Sequence, residues 1–281
     1  MKVWLKRIAL TGLALVGYLV GLPLWRSRRG LRILRYHSVS SERFHETTVT
    51  PENFRRQMHW LKRHYRVIAP GEMATTQGTR VLITIDDGYA DNFYQALPVL
   101  KEEDICALVF LVAGYVGTHN LLPHDHGESF DANRLLSWQE ARQCDARHIE
   151  FGSHGWSHRR LSTLEDDGEM AQEFVQSKET IESETGHSVR FFSFPFGVAG
   201  DYDRRATARA EQAGYQAAFN AKYGDNLGLE NRYDLYRIGV ERSDTLFTLR
   251  AKLNGALDLL GLFETSWGRG LIRLANHMAG A

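Results

Sequence analysis

Ile83-Thr84-Ile85-Asp86-Asp87-Gly88 is a short apolar strand that ends in two adjacent carboxylates and a glycine. Side chains alternate along a strand, so Asp86 and Asp87 leave the backbone in different directions, and Gly88 permits a sharp turn. One carboxylate can then ligate a metal while the other faces a substrate. An Asx-type turn uses the same residue types, so the run alone does not separate the two readings. Downstream, Phe151-Gly152-Ser153-His154-Gly155-Trp156-Ser157-His158 sets two imidazoles four residues apart behind a second apolar segment. If the loop makes one helical turn, both rings share a face. Two neutral histidines and one carboxylate form a three-ligand site for zinc or a similar divalent ion, with a position left open for water or substrate. An isolated pair of this spacing reads as two surface histidines; the aspartate pair upstream weighs against that.

Working outward, short apolar runs alternate with amphipathic stretches, the pattern of a βα-type barrel. Strands are expected at 81–85, 107–113, 149–153, 190–194, 215–220 and 236–240, and helices at 91–103, 138–144, 164–185, 204–213 and 245–260. The candidate ligand positions all follow strands, where barrel enzymes build their sites. Thr50 can cap a helix that starts at Pro51 and turns Phe54, Met58 and Leu61 to one face.

In these motifs the chain resembles a polysaccharide deacetylase of the NodB-homology type, carbohydrate esterase family 4, from about Leu31 to about Leu260. The resemblance implies a distorted (β/α)7-type barrel. It makes Asp86 the catalytic base and Asp87, with His154 and His158, the ligands of one divalent metal ion: zinc first, with nickel, cobalt, iron or manganese as alternatives. Phe194-Pro195-Phe196-Gly197 resembles the third family motif, a groove wall of Pro195, Phe196 and Gly197 in which the Phe196 N–H helps to bind the oxyanion.

Three departures stand out. Gly155 occupies the place after the first metal histidine where the family usually has Ser or Thr. Ser193 occupies the place of an arginine that would orient the base, and Arg190 and Arg237 are the candidates to substitute. The late leucine-x-histidine motif that supplies the general acid is not evident, since His277 lies in a segment that reads as a terminal helix. Leu31-Arg32-Ile33-Leu34-Arg35-Tyr36-His37 resembles the first strand of the permuted branch acting on poly-N-acetylglucosamine, which makes His37 the expected acid. The implied reaction is metal-assisted hydrolysis of N-acetyl groups on an N-acetylhexosamine polymer or its lipid-linked precursor. It releases acetate, in a setting of exopolysaccharide biosynthesis. The alternatives are an O-acetyl esterase, a small cyclic-amide hydrolase, or an inactive glycan-binding subunit.

Composition agrees with one catalytic domain. The chain has 281 residues with 43% hydrophobic content, enough for one sizeable core. Basic and acidic residues both number 34, so no global positive field points to nucleic acid; a neutral glycan fits this balance, and the resemblance makes an acetylated one the expected partner. Two cysteines, Cys106 and Cys144, are too few for a disulfide framework. His119, His124 and His126 crowd a Pro- and Gly-containing loop that reads as solvated or substrate-contacting. Oligomeric state is not legible.

Residues 8–25 lack charge and are flanked by Lys2, Lys6 and Arg7 before and Arg26, Arg28 and Arg29 after. Roughly 20 apolar residues span a bilayer, and no convincing cleavage site follows. The expectation is an uncleaved, single-pass membrane anchor over 1–30, with a secretory signal segment or an interfacial helix as the alternatives, a catalytic domain over 31–260, and a peripheral helix or tail over 261–281. The flanking charges leave the orientation open; the resemblance favours a periplasmic or extracellular domain.

Overall fold

The computed structural model describes residues 2–25, 30–43, 45–74, 78–125, 129–226, 229, 231–258 and 261. Aliphatic runs buried on both faces are the mark of parallel strands covered by helices. They assemble here into an eight-stranded sheet. Its path runs Ile238–Gly239, Gly30–Tyr36, Thr79–Ile85, Ala107–Leu111, Ile149–Ser153, Phe191–Ser193, Ala217–Phe219. Arg66–Val67 adds to the Thr79–Ile85 strand, and all pairings are parallel. The period-2 alternation sorts the strands into two cores. Leu31, Ile33, Leu82, Leu108, Phe110, Phe191 and Phe219 fill the concave side. Leu34, Tyr36, Ile83, Ile85, Val109, Leu111 and Phe192 pack outward against helices.

The sheet is a curved half-barrel of parallel strands, in keeping with the expected distorted barrel. Among the described residues, the edges at Ala217–Phe219 and Ile238–Gly239 are linked through the segment 232–237, by a bridge from Phe219 to Leu235 and by backbone hydrogen bonds from Ala218 N–H to the Arg232 carbonyl and from Arg237 N–H to the Lys222 carbonyl. The helix Pro51–His64 starts on its Thr50 cap and buries Phe54, Gln57, Met58 and Leu61. Two expected helices carry π-helical turns, at Asn92–Ala96 and Gln172–Gln176. The last described helix is Leu246–Leu253, shorter than expected, and the tail beyond Gly261, with His277, lies outside the described residues.

The structure does not support the expected membrane anchor. Residues Lys2–Leu19 are helical, but no helix among the described residues is long and apolar enough to cross a membrane. The uncharged run breaks at Gly21, in a left-handed turn, and three of the flanking cations lie inside the helix. That helix docks on the domain. Ala14 is fully buried, Tyr18 Oη accepts from Asn254 Nδ2 at 2.7 Å, and Lys6 pairs with Glu241 and Glu46. A Cβ on Gly17 would lie 2.0 Å from the Ala256 carbonyl oxygen, so only glycine permits this approach.

Candidate active site

Five strand ends converge on one cavity of about 380 Å³, lined by His37, Asp86, Asp87, His124, His154 and His158 among others. Asp86 continues the concave-side alternation of Leu82 and Thr84. Asp87 then turns away in the left-handed region, at φ 73°. Gly88 follows at φ 76°, and a Cβ there would meet the Leu111 side chain at 2.6 Å. Four non-glycine residues among those described have positive φ, and three of them, Asp87, His158 and Phe196, line this cavity. L-residues adopt this conformation at a cost, so surrounding contacts must hold them there.

His154 and His158 bring their Nε2 atoms to 3.5 and 3.3 Å from Asp87 Oδ1. The ligand atoms of all three lie within 4.8 Å of one another. A tetrahedral ion with bonds of about 2.0–2.1 Å needs ligand separations of about 3.3–3.4 Å, close to the two distances from Asp87 Oδ1. His154 Nδ1 donates to the Ser193 carbonyl at 2.7 Å, leaving Nε2 as the lone-pair atom. Burial drives that ring down to about 4, so it is neutral. Asp87 Oδ1 is buried without a hydrogen-bond partner, in contact with two imidazole nitrogens. An orphaned anionic oxygen beside two ring acceptors is the donor set of a cation site.

Asp86 is held differently. Arg237, immediately before the last strand and 0% exposed, donates from Nη1 and Nη2 to its two oxygens at 2.6 and 2.8 Å. The same guanidinium donates to Ser193 Oγ at 2.8 Å and to the Asn220 carbonyl at 2.6 Å. Burial alone would raise the Asp86 carboxyl, but the Arg237 charge and its hydrogen bonds outweigh it and bring it to about 2. The small side chain of Ser193 therefore stands beside an arginine delivered from the segment that leads into the opposite edge strand of the sheet. Arg190, the other candidate, is committed to Glu150 at the opposite end of the sheet.

His37 follows the Gly30–Tyr36 strand, with its carbonyl accepting from Asn92 Nδ2 and its Nδ1 buried without a partner. Burial lowers its ring to about 3 despite the pull of Asp87, so it is uncharged at rest. Pro195 is buried, and Gly197, at φ 67°, sits where a Cβ would meet Ala221 N at 2.8 Å. The Phe196 ring lies edge-on to His158, with the Arg160 guanidinium over it.

Two supports escape a motif reading. Glu173, 2% exposed, accepts from the Trp156 and Ser157 amides and from the Ser157 hydroxyl, clamping the loop between the two histidines. Gly155 makes room for it, since a Cβ there would lie 2.4 Å from Glu173 Oε2. This carboxylate fixes the loop whose usual hydroxyl is missing. The other support is Arg43, which ties Asp125 and Tyr89 together beside His124. His119 packs at a tilt against Phe130 instead, and His126 lies outside the described residues. Cys106 and Cys144 are free, with thiols raised to about 12 by burial, and are inert packing groups.

Comparison with known proteins agrees with this architecture. YxkH of Bacillus subtilis, a provisionally assigned polysaccharide deacetylase, is 28% identical over 218 residues, 75% of this chain and 71% of its own. The Streptococcus pyogenes deacetylase PplD, solved with acetate, superposes at a TM-score of 0.66 and 20% identity over 81% of this chain and 99% of its own. IcaB from Ammonifex degensii gives 0.66 and 21% identity over 81% and 97%. At those identities the structures establish the shared fold. The family profile described as polysaccharide deacetylase matches residues 73–218, which carry both the aspartate pair and the histidine pair. The chain belongs to the polysaccharide deacetylase family, hydrolases of carbon–nitrogen bonds.

Proposed function

We propose that this chain is a divalent-metal-dependent hydrolase that removes N-acetyl groups from an N-acetylhexosamine polymer or its lipid-linked precursor. The observation that carries the reading is a buried carboxylate, Asp86, held by Arg237 beside the Asp87, His154 and His158 set. A cation bound by those three, zinc being the natural choice for a two-histidine, one-carboxylate set, supplies a Lewis acid for the amide carbonyl. Asp86 removes a proton from the attacking water as its oxygen bonds to the carbonyl carbon. Among the described residues no partner takes the Phe196 N–H, which leaves it free to donate to the developing oxyanion. His37, uncharged at rest, takes up a proton from solvent and passes it to the amine nitrogen as the C–N bond breaks, while Asp86 returns the proton it took from water to solvent. Acetate and a free amine leave. On this reading the domain works on exported polymer, outside the cytoplasm.

The test measures bound metal and acetate release from several acetylated glycans with purified wild-type and Asp86→Asn chains. Release that requires both metal and Asp86 supports the reading; a folded, metal-loaded Asp86→Asn chain with normal release overturns it. Hydrolysis confined to O-acetylated substrates would move the assignment to an esterase.

A further inference from the structure

His124 reaches the cavity from the loop after the Ala107–Leu111 strand, and a buried network sets the state of its ring. Asp125, 2% exposed, receives Arg43 Nη2 on Oδ1, while the Tyr89 hydroxyl lies 2.6 Å from Oδ2. Arg43 is itself 4% exposed and also donates to Tyr89 Oη at 2.9 Å, to Thr48 Oγ1 at 3.2 Å and to Asn133 Oδ1. His124 Nε2 lies 3.0 Å from the same Tyr89 oxygen. A phenol has one proton, guanidinium only donates, and a carboxylate only accepts. The Tyr89 proton therefore goes to Asp125, and the Arg43 contact uses a phenol lone pair. His124 Nε2 must be the donor, so in the neutral ring Nδ1 is a bare acceptor. Among the described residues Nδ1 has no partner, the side chain keeps 31% of its surface exposed, and the ring centroid lies 5.3 Å from that of His158.

We propose that His124 is a substrate-binding residue whose Nδ1 accepts a hydrogen bond from a hydroxyl or amide N–H of the glycan held at the metal site, with Tyr89 and Arg43 as positioning residues that fix its tautomer. The inference rests on the deacetylase reading for the chemistry of its ligand. It explains why an arginine, a carboxylate and a phenol are buried together beside a ring that ligates nothing in the Asp87 set. A rigid acceptor at this place selects a sugar whose donor points toward the loop, so it acts on affinity ahead of bond breaking.

The experiment reads binding separately from turnover. Titration calorimetry of N-acetylglucosamine oligomers into the metal-loaded Asp86→Asn chain gives Kd without hydrolysis. Adding His124→Phe should weaken binding about 3- to 10-fold, the loss of one neutral hydrogen bond. His124→Asn, whose Oδ1 can stand in for Nδ1, should recover most of it. Tyr89→Phe should weaken binding when His124 is present and add nothing when it is Phe. In the otherwise wild-type enzyme, His124→Phe should raise KM with kcat within about twofold. Unchanged Kd with His124→Phe overturns the proposal. So does a fall in bound metal that His124→Asn fails to reverse, which would make the ring a prop for His158. A chain that binds the oligomers yet releases no acetate overturns the reaction and leaves the contact readable.

Discussion

Replacing Arg237 by methionine keeps much of the buried volume but removes the charge and every donor that Asp86, Ser193 and Asn220 use. Asp86 is 2% exposed, so its carboxylate would be stranded without a counter-charge. Breaking a buried pair from one side costs about 3–5 kcal/mol, while replacing both members by neutral groups is far milder. Urea unfolding of wild type, Arg237→Met, Asp86→Asn and the double variant separates these costs. The expected order puts Arg237→Met about 3–5 kcal/mol below wild type, with the double variant recovering much of that loss. Acetate release should fall roughly 100-fold or more in Arg237→Met, since a base displaced by about 1 Å loses that much. The reasoning is refuted if Arg237→Met stays within about 1 kcal/mol of wild type, if the double variant is no more stable than Arg237→Met, or if acetate release is unchanged.

Two further outcomes test the other structural supports. Gly155→Ala puts a methyl against Glu173 at a positive φ, so bound metal and acetate release should both fall, with about 1–2 kcal/mol of stability lost to the backbone alone. Full metal occupancy in that variant would show that the clamp is dispensable. Gly17→Leu cannot sit against the Ala256 carbonyl, so the Lys2–Leu19 helix should come off the domain and proteolysis near residue 20 should accelerate; an unchanged cleavage rate would count against the docked arrangement.

The strands that carry the ligands were legible because their apolar runs stop at residues a core rejects. Ile149–Ser153 has the expected bounds, and the strand before Asp86 differs only at its start. Long-range partners were less legible. Arg190 and Arg237 both flank strands in the sequence, and only the tertiary pairing shows that one meets Glu150 and the other Asp86. Glu173 sits on a helical stretch with no motif around it, and its signal was indirect: a glycine where a hydroxyl was expected. The N-terminal segment misled for a different reason. Its absence of charge matched a membrane span, but the small residues Ala14 and Gly17 fit equally well against a neighbouring helix. The alternation of apolar residues also could not tell a closed barrel from a half-barrel, which depends on how two edges meet.

The contact between Gly155 and Glu173 makes their histories inseparable. A side chain at 155 would have to displace the Glu173 carboxylate from this rotamer, so serine or threonine after the first histidine competes with this clamp for one space. Exchange between the two arrangements by single steps passes through a chain in which both groups collide or the loop has neither fastening. Substitutions at 155 and 173 should therefore be found in pairs among relatives, and grafting either residue alone into a family member of the other kind should fail where the paired graft succeeds.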